Sequence, residues 1–166
     1  AAMSFRPAEA RVRTTLLDLW AQSRGDWRFV TERLAQAFRH AKHLHSAERR
    51  IVAETLYGMV RYARTIDHAL AGAGVVEPTP PPGAIAFERP RSRAELDLIA
   101  YRVMIEGLGI DQARAERPDV DWPAVWRTFQ HSDRIDDPTL RFALTHSLPD
   151  WLVGRVTALA GTWKFQ

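Results

Sequence analysis

The sequence predicts an all-α protein, and two observations support this fold class. Apolar side chains recur at three- and four-residue spacing in several segments, which is the pattern of the buried face of a helix. No segment of useful length alternates apolar and polar residues as a half-buried strand does. We therefore expect one domain over residues 4–161, built from about seven or eight helices that pack as bundles.

The strongest helical pattern covers residues 46–70. Its apolar side chains share one face for about seven turns without a proline, and Ser46 is a suitable N-cap. Gly72 and Gly74 follow and predict its end. Gly58 lies inside the pattern, where glycine costs about 1 kcal/mol relative to alanine. We expect another helix to cross closely at Gly58, so that a Cβ there would clash.

Two helices are predicted before this one, over residues 7–21 and 27–41. Pro7 suits the first position of the first helix, and Asp26 suits the N-cap of the second. Each helix carries an apolar stripe at helical spacing. Such stripes form a core far more often than a ligand site.

A proline-rich stretch, residues 72–91, follows the central pattern and predicts an extended loop between helices. A proline-rich ligand for another protein is the alternative interpretation. Ser92 and Glu95 form the S-x-x-E pattern of a capping box before an apolar run, and Asp121 is expected to cap a later helix. The helices predicted in this half cover residues 92–107, 122–130, 138–146 and 149–160, with a short turn over 110–115 between the first two.

Three histidines, His40, His43 and His45, lie in the basic run that follows the second helix. A metal site would need a further ligand, and no carboxylate stands beside them in the sequence. We therefore predict no metal. The run is explained either by the preference of helix C-termini for cations or by a surface that faces phosphate groups.

Composition excludes several classes of protein. The chain has 166 residues, of which 46% are apolar and 26% charged, as in ordinary globular domains. It contains no cysteine, so disulfides, cysteine-ligated metal sites and a cysteine nucleophile are excluded for this chain. No segment has the roughly 20 apolar residues of a membrane span, and no signal-peptide pattern is present. We expect a cytoplasmic protein without a membrane partner.

Positive charge is concentrated in the first part of the chain. Residues 1–70 contain 12 Lys and Arg against 7 Asp and Glu, whereas residues 71–166 contain 11 against 13. The first part is therefore the candidate surface for a polyanion. A solvated surface in an arginine-rich chain is the alternative. Arg6, Arg11 and Arg13 oppose the dipole of the first helix, a cost of a few tenths of a kcal/mol that either serves another purpose or is tolerated.

Sequence motifs for common active sites are absent. The chain has no G-x-G-x-x-G, P-loop, H-E-x-x-H or G-x-S-x-G pattern. The adjacent carboxylates Asp136 and Asp137 precede Pro138, and capping of a helix start explains them better than catalysis. We predict no catalytic residue in this chain.

Two stretches resemble a known family. Arg49-Arg50, then Tyr57-Gly58-x-x-Arg61, then Ile66-Asp67 resembles the third-helix signature of NusB-like domains, in the version found at the N-terminus of Sun-type (Fmu) bacterial 16S rRNA cytosine-C5 methyltransferases. Leu148-Pro149-Asp150-Trp151-Leu152 with Arg155 resembles the segment that leads from that domain to the catalytic part. The resemblance covers most of residues 7–161.

The resemblance implies a fold and a function. NusB-like domains are two three-helix bundles packed across each other, and they bind RNA through a basic surface. The matching residues that would bind RNA here are Arg6, Arg11, Arg13, Arg39, Lys42, Arg49, Arg50, Arg61 and Arg64. Arg61 has an alternative role as an intramolecular partner of Glu54 or Asp67. Tyr57 and Gly58 are assigned to packing.

The family's catalytic cysteines and S-adenosylmethionine motifs are missing from this chain, as is the asparagine-containing motif expected between Ile110 and Ser147. The resemblance therefore implies a non-catalytic RNA-binding domain that acts in rRNA processing, with ribosomal RNA and a C-terminal methyltransferase domain of the same protein as partners. S-adenosylmethionine would belong to that catalytic domain. Residues 162–166 look like a cut end, which favours a fragment. A stand-alone NusB-like antitermination or protein-binding adaptor is the main alternative, and an unrelated helical bundle is the third.

Overall fold

The computed structural model describes residues 7–23, 30–40, 43–76, 82–83 and 89–132. These residues are mostly helical and contain no strand, which confirms the predicted all-α class. The helices within the described ranges are α1 Pro7–Ser23, α2 Val30–His40, α3 Ser46–Arg61, α4 Ala63–Gly72, α5 Arg91–Tyr101, α6 Ile110–Glu116 and α7 Trp122–Gln130. None of these helices combines the length and apolar character that crossing a bilayer requires.

The single helix predicted over residues 46–70 is divided into α3 and α4. The division is at Tyr62, whose φ of −103° and ψ of 15° leave the helical region. Its amide still donates to the Gly58 carbonyl at 3.1 Å, and its carbonyl accepts from the Ile66 amide at 2.8 Å. The chain therefore bends without losing its hydrogen bonds. Met59 on one side and Ile66 on the other are both fully buried, so the apolar spacing continues through the bend.

Two predicted caps differ from the observed ones. The N-cap of α3 is His45 rather than Ser46, and the His45 amide donates to Glu48 Oε1 at 3.2 Å. The N-cap of α5 is Pro90, so Ser92 lies inside the helix and does not cap it. The reason is that Pro90, with φ of −56° and ψ of 146°, already sets the start of the helix one residue earlier.

The cap predicted for α7 is confirmed, because Asp121 Oδ1 accepts a hydrogen bond from the Ala124 amide at 3.1 Å. The turn predicted over 110–115 is the helix α6. A π-helical turn, Arg102–Glu106, continues α5 and ends at Gly107, whose φ of 78° is left-handed.

Several predictions fall outside the described residues. These are the cap Asp26, the start of the second helix before residue 30, most of the proline-rich stretch, and the helices over 138–146 and 149–160. The described part of the stretch differs from the prediction at both ends, since Gly72 still belongs to α4 and Arg91 is the first residue of α5.

The core lies where α1, α3, α4, α5 and α7 meet. Each of these helices contributes at least one large, fully buried side chain, for example Trp20, Leu56, Ile66, Ile99 and Trp122. Because the apolar faces of helices far apart in the sequence share this core, the first and second parts of the described chain form one packed body.

Two glycines mark close helix crossings. A Cβ added at Gly58 would overlap the hydroxyl of Tyr101 on α5 and lie 2.9 Å from its Cζ. A Cβ at Gly72 would overlap Thr128 on α7, with the Thr128 Cβ 2.8 Å away. Real Cβ atoms do not approach other atoms so closely. The predicted clash of a Cβ at Gly58 is therefore confirmed, and the atoms it would meet belong to the Tyr101 side chain of α5.

A buried ion-pair network, formed by Asp97, Arg89, Arg93 and Asp67, connects four parts of the chain. Asp97 is fully buried; its Oδ2 accepts from Arg89 Nη1 at 2.7 Å and its Oδ1 from Arg93 Nε at 3.1 Å. Both arginines also donate to Asp67 Oδ1 of α4, at 3.0 and 3.3 Å. The indole Nε1 of Trp20 on α1 donates to Asp97 Oδ2 at 2.8 Å. Two positive and two negative groups balance, as buried charges require.

The buried ion-pair network also fixes the backbone around it. Arg93 Nη1 donates to the Val76 carbonyl at 3.0 Å, and the Arg89 amide donates to the Ala21 carbonyl at 3.0 Å. Burial by itself would lower the pKa of Arg89, but Asp97 and Asp67 outweigh it and the pKa is raised. Arg89 is therefore held in its charged form. No local pattern in the sequence predicts this network as a whole, and Asp67, the alternative partner predicted for Arg61, belongs to it.

His68 of α4 gives the fold a predicted dependence on pH. Burial lowers the pKa of His68 below its ordinary value. The unfolded chain therefore takes up this proton near pH 6.5, about the ordinary value, and the folded chain only at lower pH. We expect full stability above about pH 6.5 and a loss as the pH falls through the lowered folded pKa. His68→Gln should reduce the drop in Tm between about pH 7.5 and about pH 5.5.

The matched control is His131→Gln, because His131 is exposed at the end of α7. This variant should keep the pH dependence of the unmodified chain. An equal drop in Tm for His68→Gln and the unmodified chain would show that the burial of His68 does not cause the loss.

Candidate nucleic-acid interface

The predicted RNA-binding residues lie mainly on a hairpin formed by α2 and α3. Near the open end of the hairpin, the hydroxyls of Thr31 and Tyr57 are 3.0 Å apart. Near the turn, the Arg49 guanidinium lies 5.5 Å from the centroid of the Phe38 ring. The two helices are therefore antiparallel neighbours, and α1 packs against both. We call this unit the α2–α3 hairpin.

The turn of the α2–α3 hairpin is basic. Arg39 and Arg50 are exposed on either side of it. Arg49 is half-buried: its Nε donates to the Leu44 carbonyl at 3.0 Å, and its guanidinium covers Phe38. Arg49 thus fixes the turn while part of its charge faces solvent. Lys42 lies outside the described residues.

The outer face of α3 carries charged and aromatic groups at helical spacing. Arg50, Glu54, Tyr57 and Arg61 follow one another at intervals of three or four residues, and all are exposed. Arg50 Nε donates to Glu54 Oε1 at 2.8 Å in a pair that is largely solvent-exposed. The hydrogen bond with Glu54 raises the pKa of Arg50, and its charge is maintained. Such exposed pairs contribute little to stability and can exchange partners.

The alternative role of Arg61 is wrong within the described residues. Its guanidinium lies 5.5 Å from the centroid of the Tyr62 ring and is exposed. The two proposed partners are used elsewhere, since Glu54 pairs with Arg50, and Asp67 belongs to the buried ion-pair network. Arg61 remains accessible to an external anion.

Tyr57 does not fit its assignment to packing. Its side chain is 43% exposed, and Ile51, nearer the start of α3, is 51% exposed. The hydroxyl of Tyr57 is hydrogen-bonded to Thr31, while part of the ring faces solvent. The three- and four-residue spacing placed Tyr57 beside the exposed Arg50 and Arg61, and that spacing was the available signal for its exposure.

The predicted residues on α1 behave differently from one another. Arg11 is exposed, but Arg13 Nη1 donates to Glu116 Oε1 of α6 at 2.7 Å, and both side chains are largely buried. Arg13 therefore links α1 to α6 and is poorly placed for an external anion.

Arg64 is half-buried on α4. Arg6 lies outside the described residues.

Arginines in the second part of the described chain mostly face carboxylates. Those in ion pairs are Arg89, Arg91, Arg93, Arg102, Arg114 and Arg117. In contrast, no described carboxylate lies within ion-pair distance of Arg11, Arg39 or Arg61. The uneven charge in the sequence thus corresponds to accessible cations on the α2–α3 hairpin and the start of α1.

Comparison of this chain with protein-family models, curated proteins and solved structures returned no match. Function is therefore inferred from the chemistry of the described residues. Among them, no three His, Cys, Asp or Glu side chains are grouped so that they could hold a metal ion. What the surface offers is several guanidinium groups beside a partly exposed tyrosine, an arrangement suited to phosphate contacts and to base stacking.

Proposed function

We propose that this chain is a non-catalytic RNA-binding domain of an S-adenosylmethionine-dependent rRNA cytosine-C5 methyltransferase, with a NusB-like arrangement of two crossed three-helix bundles. In this role it holds ribosomal RNA while a separate catalytic domain reaches the base. The observation that supports RNA binding best is the set of exposed arginines Arg39, Arg50 and Arg61 on the α2–α3 hairpin.

These arginines suit a phosphate backbone. A guanidinium offers several N–H donors in a planar fork, so it can bind two phosphate oxygens at once. Arg50 and Arg61 lie on one face of α3, about 16 Å apart along the helix axis. Adjacent phosphates of one strand are closer than that, so the two residues would contact phosphates several nucleotides apart. Contacts of this kind provide affinity and positioning without base choice.

The NusB-like part of the proposal has its support in α1, α2 and α3. Helix α1 packs against both α2 and α3, and the glycine of the Tyr57-Gly58 motif lies where the Tyr101 side chain of α5 meets α3. A small residue at such a crossing is what the shared motif would require.

We expect the combined variant Arg39→Gln, Arg50→Gln, Arg61→Gln to bind a labelled ribosomal RNA hairpin about 10- to 100-fold more weakly at moderate salt. The reason is the loss of three cations that displace counterions from the RNA. The slope of log affinity against log salt should become shallower by about two to three. Fluorescence anisotropy titrations at several salt concentrations measure both quantities.

The matched control is Arg91→Gln, Arg102→Gln, Arg114→Gln, which removes the same charge from exposed or half-exposed arginines of the second part. It should retain most of the affinity and the salt slope. RNA binding that is absent, that does not depend on salt, or that weakens equally in both variants would contradict the proposal.

A protein-binding adaptor is the second candidate, and the exposure of Ile51 and Tyr57 on α3 favours it. Apolar groups on an accessible helix face are suited to a partner protein. The reading frame beyond Gln166 distinguishes the two candidates. An in-frame S-adenosylmethionine domain would support the methyltransferase, whereas a stop codon would favour the adaptor.

A further inference from the structure

We propose that His40, His43 and His45 are further RNA-contacting residues of the α2–α3 hairpin and make its affinity for RNA depend on pH. The inference rests on the proposed RNA-binding function and adds the regulation of the same surface. We expect the affinity of the chain for RNA to rise as the pH falls from about 8 to about 6.

The three histidines occupy one accessible site. His40 is the last residue of α2, His43 lies in the turn, and His45 is the N-cap of α3. All three are exposed. Within the described residues no carboxylate forms an ion pair with any of the three rings, and the rings belong to no group that could hold a metal ion. The His45 side chain takes part in a capping box with Glu48 at the start of α3. The exposed rings of His40 and His43 are therefore accessible to an external acceptor.

The charged groups around the turn favour an anion. From α2 and α3 the cations are Arg39, Arg49 and Arg50, and the anions are Glu48 and Glu54. Glu54 is paired with Arg50, whereas Glu48 accepts from the His45 amide with Oε1 only, and its buried Oε2 has no hydrogen-bond partner among the described residues.

Helix α1, which packs against both helices of the hairpin, adds one anion and one exposed cation in its first turns, Glu9 and Arg11. The surroundings are therefore net positive before any histidine is charged.

Protonation adds up to three cations to this surface. The imidazole of histidine changes from neutral to positive between about pH 8 and about pH 5, and the charged ring has two N–H donors for phosphate oxygens. Each additional phosphate contact releases counterions and makes the salt dependence steeper. Arginines cannot produce this effect, because they stay charged throughout the range. The histidines thus contribute the part of the RNA affinity that depends on pH. Arg39, Arg50 and Arg61 contribute the part that does not.

The test measures the affinity of the full chain for the same RNA hairpin at about pH 8 and about pH 6, at fixed salt. We expect the unmodified chain to bind about 5- to 20-fold more tightly at the lower pH, with a salt slope steeper by about one to two. The combined variant His40→Gln, His43→Gln, His45→Gln should lose this difference, so that its affinity for the RNA is the same at both pH values. The combined change to arginine should bind at about pH 8 as tightly as the unmodified chain does at about pH 6.

The control is His131→Gln, an exposed histidine on α7, and it should retain the pH effect. Salt-dependent binding whose affinity is the same at both pH values would overturn this inference and leave the proposed function intact. A pH effect that persists in the triple glutamine variant would also overturn it. Absence of RNA binding at both pH values would overturn the proposed function together with the inference. Tm values of each variant, measured at both pH values, separate binding effects from unfolding.

Discussion

Replacing Asp97 with asparagine is expected to lower the free energy of unfolding by about 3–5 kcal/mol. The Asp97 carboxylate is fully buried and accepts hydrogen bonds from Trp20, Arg89 and Arg93. Asparagine keeps the shape but removes the charge and turns one acceptor into a donor. Two buried guanidinium groups would then share Asp67 as their remaining carboxylate in the network. Urea unfolding followed by circular dichroism measures the loss.

A surface ion pair provides the control for this variant. Asp111 pairs with Arg114 at 3.2 Å, and its side chain is 97% exposed. Asp111→Asn should change the free energy of unfolding by about 1 kcal/mol or less, because solvent screens exposed pairs. Equal effects of the two substitutions would mean that the buried ion-pair network does not hold α1, α4 and α5 together.

Replacing Gly58 with alanine is expected to lower the free energy of unfolding by about 1–3 kcal/mol. Two effects oppose each other. Alanine favours a helix interior over glycine by about 1 kcal/mol. Its Cβ, however, would overlap the Tyr101 hydroxyl and lie 2.9 Å from Cζ, and the Tyr101 ring is itself held by its contact with Tyr62. We expect the steric cost to exceed the gain in helix propensity.

A double-mutant cycle tests this explanation directly. In a Tyr101→Leu background the obstructing end of the ring is absent, so Gly58→Ala should stabilise the protein by up to about 1 kcal/mol relative to that background. The sign of the effect therefore reverses between the two backgrounds. An equal destabilisation in both would show that the cost at Gly58 has another origin than the crossing of α3 and α5.

The prediction of RNA-binding residues shows what charge patterns in a sequence can indicate. The excess of arginine before residue 70 corresponds to the exposed Arg11, Arg39, Arg50 and Arg61. It did not distinguish Arg13 from Arg39. Arg13 faces Glu116, a residue 103 positions later, and no local pattern links the two. Whether an arginine is accessible depends on which helix packs beside it.

The bend at Tyr62 illustrates the same limit for backbone structure. The apolar spacing of residues 46–70 is continuous, so it predicts one straight helix. The bend places α4 against α7, where Gly72 and Thr128 make a close contact. Apolar spacing predicts which face of a helix is buried. It does not predict where the helix is interrupted so that its second half packs against a different helix.

The sequence by itself determined the helical class, the close approach at Gly58 and the basic character of the first part, because periodicity, a missing Cβ and net charge are local properties of the chain. Only the tertiary structure decided the bend at Tyr62, the network around Asp97 and which arginines remain accessible. Each of these depends on residues distant in sequence, such as Trp20 and Asp97, that meet only when the helices pack. The physical reason is that the energy of a buried charge or of a steric clash depends on the side chains around it, and those side chains come together only when the helices pack.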